Sequence, residues 1–419
     1  MSATLQTRYL LVGSSHAALE ALAAIRMHDA EGSVLLATGD TAPPYSPTVL
    51  PYVVSGKSDP DRVRLRSDGF SGAQNVTLRY GSALASLDTA AQTARFSDGS
   101  EVRYERLLLA TGATPAIPKI AGLTRVPYHV LRTLEDAVRL RTALGHARLA
   151  VVLGGGLVGM HAAENLVHAQ AETTIIEMQP QVLPGYFDAQ AASLISGAFA
   201  ERGARVLCGQ SVVSVAPREE GFALKLLGGE RVEGDLLLIA AGVRPTIGYL
   251  SGAGVATENG VLVDRRMRTS ASNVWAAGDV AQAESFLQGG RRVNGILPNA
   301  VEQGRIAGMD MAGDPGARDY RGGVPINTYH FFGRQALSVG VDSLEGCETH
   351  LHVDVSAGRY RKIVLKDSRL AGIFSIDLPF DAGVMVELVL RRIDLAPVKQ
   401  AFVDNPRDTA RALMSRLWR

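Results

Sequence analysis

The chain has 419 residues, and 43 Lys+Arg against 42 Asp+Glu leave a formal net charge of +1. That balance excludes a general electrostatic pull towards nucleic acid or an anionic membrane. Only two cysteines occur, Cys208 and Cys347, far apart in sequence, which excludes a disulfide scaffold, a four-thiolate iron–sulfur centre and a local redox dithiol.

Residues 1–13 carry neither the basic stretch nor the apolar core of an export signal, and no apolar run approaches the ~18 residues of a membrane span. A soluble, cytoplasmic protein is expected. Tyr9–Val12 predicts a short strand that stops at Gly13, followed by a helix over Ala17–Met27 and a second strand over Val34–Leu36, which together make one βαβ unit. Leu107–Leu109 predicts a strand running into Ala110-Thr111-Gly112-Ala113. The βαβ grammar then returns: a strand at Ala150–Leu153, a turn at Gly154–Gly159, a helix over Met160–Ala169 and a strand at Thr173–Ile176. Leu236–Ile239, running into Ala240-Ala241-Gly242-Val243, parallels the passage after Leu107. Pro115, Pro118 and Gly122 mark a crossing into a second domain, and Arg244-Pro245 a crossing back. From Tyr320 the pattern changes to alternating strands such as Lys362–Leu365 and a helix near Val384–Arg391. The expected fold class is α/β, with two Rossmann-like dinucleotide-binding domains, the second inserted in the first, and a C-terminal α+β domain. The expected boundaries are 1–118, 119–243, 244–319 and 320–419.

A pyrophosphate needs converging backbone N–H groups, a helix N-terminus behind them and no side chains in the way, which glycines in a strand-to-helix turn supply. Gly154-Gly155-Gly156-Leu157-Val158-Gly159 meets the full GxGxxG pattern, with Gly154, Gly156 and Gly159 at its fixed positions. The following strand ends at Glu177, where a carboxylate would accept the ribose hydroxyls. Met178-Gln179-Pro180 supply no cation for a 2′-phosphate, so this unit should prefer NAD over NADP. The first turn is looser: Gly13-Ser14-Ser15-His16-Ala17-Ala18 replaces two glycines by small residues. No acid follows its second strand before Asp40.

A distant segment supports the first turn. The apolar strand closing on Ala277-Gly278-Asp279 resembles the second FAD motif of the two-dinucleotide-domain flavoproteins, and Ala110-Thr111-Gly112 resembles their middle motif. The resemblance spans the whole chain with its motifs in order. It implies FAD held at the Gly13 turn, with Asp279 bonding its ribityl chain, and NAD held at the Gly154 turn. Arg132, in His129-Val130-Leu131-Arg132, resembles the family's FAD-contacting arginine; the residues alone equally allow a surface cation before a capped helix. A helix beginning near Pro298-Asn299 would aim its positive end at the flavin pyrimidine.

Subfamilies differ in the segment that passes the flavin, here Pro44-Tyr45-Ser46-Pro47-Thr48-Val49-Leu50-Pro51-Tyr52. Disulfide reductases carry two cysteines there, and NADH peroxidases and oxidases carry one. This chain has none, and Thr48 stands about where the single cysteine would be, so thiol mechanisms are out. His16, which in the peroxidase-like turn lies near that cysteine, is read as a helix-start residue near the flavin. Pro47 replaces the Lys or Arg of rubredoxin and ferredoxin reductases, and His161 stands where the family usually has a nicotinamide-side Glu. With Leu297-Pro298-Asn299-Ala300-Val301-Glu302-Gln303-Gly304, these features look most like the flavin subunits of phenylglyoxylate:NAD oxidoreductases, multi-subunit 2-oxoacid dehydrogenases. That resemblance implies electrons arriving singly from iron–sulfur subunits and leaving as hydride to NAD⁺, with no side chain required as acid or base for hydride transfer itself. A free-standing NADH:ferredoxin or rubredoxin reductase, and a non-enzymatic NADH-binding flavoprotein, remain alternatives, and self-association is left open.

Two further segments allow two readings each. Asn405-Pro406 predicts a capped helix whose stripe of Ala410, Leu413, Met414 and Leu417 could meet a partner or close on the chain's own core. Tyr329-His330-Phe331-Phe332-Gly333 resembles the start of the family's interface domain, its rings either beside the flavin or in the domain core.

Overall fold

The computed structural model describes residues 5–67 and 69–417. Its first sheet is built on strand Leu5–Val12, which pairs in parallel with Val34–Ala37 on one side and Glu101–Leu109 on the other. Val76–Arg79 extends the sheet beyond Val34–Ala37. Strand Glu101–Leu109 is shared along its length: residues 101–103 take the antiparallel hairpin Leu84–Asp88/Thr93–Phe96, and Leu107–Leu109 take Val274–Ala276 in parallel. Tyr9–Leu11 and Leu107–Leu109 are completely buried, the continuous apolar run of parallel strands covered on both faces.

The second sheet has four parallel strands in the order Arg205–Cys208, Glu172–Glu177, Leu149–Leu153, Leu236–Ile239. A three-stranded antiparallel sheet over residues 212–234 accompanies it. The chain leaves the first sheet through Ala113–Pro115 and returns through Val243–Pro245, and these two passages pair with each other antiparallel. A five-stranded antiparallel sheet over residues 326–376 and helices Ala382–Leu390, Lys399–Asp404 and Pro406–Leu417 complete the fold.

The predicted elements recur with longer bounds, and one differs in a way that matters. The helix after the second glycine turn begins at Leu157, inside the motif, instead of at Met160. Gly156 has the extended backbone of an N-cap, so Gly159 falls in the first helical turn, pressed on the Gly154 carbonyl. Asn405 Oδ1 accepts the Asp408 amide at 3.2 Å, as an N-cap should, and Ala410 and Met414 are buried in the core of the C-terminal domain. The stripe therefore closes on its own chain; the Leu417 side chain lies outside the described residues.

Helix His16–His28 lies against helix Leu297–Ala312, which ends the sequence block around Gly278-Asp279. Gly304 and Gly308 make the approach possible: a Cβ at Gly304 would lie 2.8 Å from the Ala17 carbonyl carbon, and one at Gly308 2.7 Å from Ala21 Cα. Replacing either by Ala gains up to ~1 kcal/mol of helix propensity, but backbone cannot yield to a new methyl as a side chain can. Gly304→Ala and Gly308→Ala should each destabilise the chain by about 1–3 kcal/mol net, read as a lower urea midpoint at unchanged slope.

Candidate active site

The motifs sit where an open α/β sheet binds ligands, at the carboxyl ends of its strands. In the first sheet, Gly13 follows Leu5–Val12 and has φ +127, and a Cβ there would meet the Ala110 backbone. Only glycine fits this turn, because the backbone is in a region closed to other residues and the next strand's exit lies against it. Ser14 and Ser15 lead into the helix that starts at His16, whose first turn has no side-chain cap. Its N–H groups therefore point into the turn, as anion binding requires. Ala17 approaches Gly278: a Cβ at Gly278 would stand 3.3 Å from that of Ala17 and 3.7 Å from that of Ala300.

Around Asp279 three distant segments converge. Arg132 Nη2 lies 3.0 Å from Asp279 Oδ2, each side chain about a quarter exposed. A Cβ at Gly112 would lie 3.0 Å from the same Nη2, and one at Gly295 3.2 Å from Asp279 Oδ1. Arg132 is thus not a free surface cation, although a Thr133/Asp136 capping box does begin the following helix. Thr111 Oγ1 donates to the Thr246 carbonyl at 3.0 Å and shares a hydrogen bond with the Tyr249 hydroxyl at 2.9 Å. Helix Leu297–Ala312, uncapped by any side chain and with Pro298 in its first turn, starts beside this group. Its Gln303 Oε1 accepts the Gly278 amide at 2.9 Å.

The second glycine turn repeats the construction. Gly154 has φ +113, and a Cβ there would lie 2.6 Å from the Ala240 carbonyl carbon. Glu177, buried at the end of its strand, accepts the Gly155 amide through Oε2 at 2.6 Å and the Gln179 amide through Oε1 at 2.7 Å. Its carboxylate holds the turn in shape while standing at the strand's end. Leu157 is half-buried and Val158 exposed at the start of the helix, and Gly242 (φ +99) has open space around it.

The segment Pro44–Tyr52 closes over the first turn. Pro47 opens a short 3₁₀ turn, Pro47–Val49, followed by helix Leu50–Val54. Tyr45 donates to Asp40 Oδ2 at 2.6 Å and accepts the Leu134 amide at 2.9 Å, so it clasps this segment to the stretch carrying Arg132. Burial and the neighbouring Asp40 carboxylate push the Tyr45 phenol well up, so it stays a donor at every working pH. His16, with no cysteine to pair, meets Ser46 Oγ at 2.8 Å.

His161 packs edge-on against Tyr329, with ring centroids 4.8 Å apart, and Tyr329 stacks on Phe331 at 5.3 Å. Phe332 sits against Phe199, and its amide donates to Glu164 Oε1 at 2.7 Å. The aromatic segment therefore fills the seam between the second sheet's helices and the C-terminal domain. Tyr360, whose hydroxyl donates to Asp188, and Lys362, 3.3 Å from the same carboxylate, fasten the seam further out. Glu164 and Asp188 carry no motif signal in the sequence, and Tyr45 and Gln303 lie in segments that do, but all four show their roles only through their partners.

A chain with two glycine-turn βαβ units, an ATG-like exit and a paired Gly-Asp turn defines a dinucleotide-dependent flavoprotein oxidoreductase. The chain belongs to the pyridine nucleotide-disulphide oxidoreductase family, whose model matches residues 7–304. It is 54% identical over 415 residues to the NADH-dependent phenylglyoxylate dehydrogenase subunit epsilon of Aromatoleum evansii, covering 99% of this chain and 98% of that one. It is 28% identical over 409 residues to a probable ferredoxin reductase of Castellaniella defragrans, covering 97% and 98%. In fold it matches a chain of the covalent putidaredoxin reductase–putidaredoxin complex, with TM-score 0.84, 24% identity and 93% and 94% coverage. The chain is accordingly an oxidoreductase that binds FAD and NAD(H). At Gly13 and Gly154 the adjoining backbone leaves no room for a Cβ, and the helix N-termini that follow, uncapped by any side chain, fit these cofactors' pyrophosphates. No described helix is long and apolar enough to cross a membrane.

Burial lowers His161 to about 4, with His330 adding in the same direction. An unfolded histidine, at about 6.5, binds its proton first, so the unfolded state holds more protons between those values and stability should fall as pH drops from about 6.5 to about 4. The shift corresponds to ~3 kcal/mol at the acid end. Urea unfolding at pH 7 and pH 5 should show the loss, and His161→Phe should flatten it.

Proposed function

We propose that this chain is the flavin subunit of a multi-subunit 2-oxoacid dehydrogenase of the phenylglyoxylate type, passing electrons from an iron–sulfur partner through FAD to NAD⁺. The observation that carries the reading is the 54% identity over nearly the full length of both chains to a subunit named for that NADH-dependent enzyme. The passage Pro44–Tyr52 contains no cysteine, which fits electron transfer and leaves no thiol there to reduce a disulfide or peroxide.

FAD supplies the ability to exchange either single electrons or a hydride; the chain supplies position and field. Residues 1–118 and 244–319 form the FAD-binding part, 119–243 the NAD-binding part and 320–419 the interface domain. Gly13, Ser14, Ser15, His16 and Ala17 hold the FAD pyrophosphate at the first helix N-terminus, and Ala110-Thr111-Gly112 lines the same cleft. Asp279, with Gly278 behind it, would accept from the ribityl hydroxyls, and Arg132 holds the Asp279 carboxylate in place. The helix at Pro298 would direct its positive end towards the bound flavin, where it would favour negative charge. Gly154, Gly156, Leu157, Val158 and Gly159 hold the NAD pyrophosphate, Glu177 the ribose, and Gly242 leaves the backbone open beside it. Pro47, beside the first turn, and His161, kept neutral by burial beside the second, would add no charge near the bound cofactors.

Purified FAD-loaded chain, titrated anaerobically, should be bleached by NADH and far less readily by NADPH, and reoxidised by the iron–sulfur partner. Failure of NADH to bleach bound flavin refutes the reading. Asp279→Ala should weaken FAD retention at least about tenfold, since it removes charge-assisted bonds worth about 1.5–3 kcal/mol; full occupancy after dilution counts against Asp279. Glu177→Ala should raise the NADH dissociation constant and erode the preference over NADPH, measured on the same bleaching signal. A free-standing ferredoxin reductase is the second reading, favoured by the full-length match to the Castellaniella protein. Co-purification with iron–sulfur subunits separates the two.

A further inference from the structure

The residues His16, Ser46 and Thr48 form a continuous hydrogen-bond chain. His16 Nε2 lies 2.8 Å from Ser46 Oγ, and Ser46 Oγ lies 2.7 Å from Thr48 Oγ1. Ser46 is buried, Thr48 is exposed, and His16 is half-buried as the first residue of the helix behind the Gly13 turn. Although Ser46 stands at the N-cap of the 3₁₀ turn Pro47–Val49, its hydroxyl caps no backbone group there. Among the described residues its hydroxyl serves only its two side-chain neighbours. Each hydroxyl can donate to one neighbour and accept from the other, and the imidazole can bind a proton at one nitrogen and release one from the other. That is the minimum equipment for passing a proton along a line.

The proposed reaction needs such a line. Two electrons arriving singly from reduced iron–sulfur centres carry no proton, whereas the hydride that converts NAD⁺ to NADH comprises two electrons and one proton. Each turnover in that direction takes up one proton from solvent, and the reverse direction, from NADH to two one-electron acceptors, returns one. Hydride transfer itself asks no side chain for a proton; the one-electron half of the cycle does.

We propose that His16, Ser46 and Thr48 form the relay that carries this proton between solvent and the cleft beside the Gly13 turn, an assignment that rests on the functional reading above. The groups that face the imidazole are Glu20, one turn along its own helix and paired with Arg305 at 3.2 Å, and Arg66 from the loop after the closing segment. Burial, the largest influence, and Arg66 both lower the His16 pKa, while Glu20 opposes them. The ring is therefore neutral near pH 7, ready to accept a proton at one nitrogen and pass one on from the other. Thr48 stands where a cysteine would bring thiol chemistry, and its hydroxyl takes part in proton transfer without being oxidised.

The test uses FAD-loaded chain reduced by NADH and then mixed, in weak buffer containing a pH indicator, with ferricenium as a one-electron oxidant. In the wild type, one proton should appear per two electrons removed, in step with flavin reoxidation. In Ser46→Ala, proton appearance should lag by about a hundredfold, the low end of what positioned proton transfer contributes, with a solvent deuterium isotope effect larger than in the wild type. Ser46→Thr should restore the rate. The oxidised FAD-loaded chain gives a readout independent of turnover: the ¹⁵N resonance of His16 Nε2 should move in Ser46→Ala and stay near its place in Ser46→Thr. Proton release in Ser46→Ala at the wild-type rate and isotope effect overturns the relay alone. A wild-type chain whose bound flavin NADH cannot bleach overturns the functional reading, and the relay with it.

Discussion

The close approach of helices His16–His28 and Leu297–Ala312 is the contact on which the site depends. It joins the first glycine turn to the Gly278-Asp279 turn, although 265 residues separate Gly13 from Gly278. Gly304 and Gly308 let backbone meet backbone at Ala17 and Ala21, so the register between the helices is set by contacts that cannot slide. From that register follow the neighbourhood of Ala17 and Gly278, the Gln303 bond to the Gly278 amide and the start of the second helix beside Asp279. Arg132 then reaches Asp279 from a third segment, held in turn by Tyr45 through the Leu134 amide. A hydrophobic core alone would bring these segments to the same neighbourhood. The glycine contacts and the polar clasps decide their positions to within a bond length.

Much of this was legible in the sequence because the signals are local. Each glycine turn lies within one strand–turn–helix unit, and the aromatic and capping patterns of residues 329–333 and 405–414 are complete within a few residues. The order of motifs then fixes the insertion of one dinucleotide unit in another. What the sequence withholds is partnership at a distance. Arg132 reads equally as a surface cation until its neighbour Asp279, far along the chain, is known. His16 appears to have lost its partner until Ser46 is seen beside it, because nothing about a serine in a proline-rich turn announces that its hydroxyl faces a histidine. The aromatic segment could not be placed because burial against a second unit, through His161 and Phe199, has no periodicity of its own. Propensity points to a helix start at Met160 because it resists winding a helix through glycine, whereas the turn requires the helix to begin at Leu157.

The seam between the inserted unit and the C-terminal sheet has a chemical character of its own. It is closed by aromatic edges and stacks, with a neutral histidine among them, and by hydrogen bonds from a backbone amide and a tyrosine to Glu164 and Asp188. The carboxylates in it accept such bonds, and Asp188 also faces Lys362, which avoids the desolvation cost of an unpaired ion. The Glu177 carboxylate follows the same rule in the turn beside it, with both oxygens engaged by backbone amides. Such groups are preorganised: their geometry is fixed before any ligand arrives, so little ordering is left to be done on binding.

The paired passages Ala113–Pro115 and Val243–Pro245 also determine the order in which the protein can be completed as it is made. Strand Glu101–Leu109 emerges from the ribosome early, yet its parallel neighbour Val274–Ala276 follows only after the whole inserted unit. At ordinary rates of synthesis that interval is on the order of ten seconds, long compared with the folding of a compact domain. The inserted unit, whose strands all lie in sequence between the two passages, can therefore fold while the first sheet still exposes the edge of Leu107–Leu109. Nascent chains would reach the native sheet by docking a late strand onto a waiting edge, with the ribbon of the two passages already holding that edge and its future partner close together.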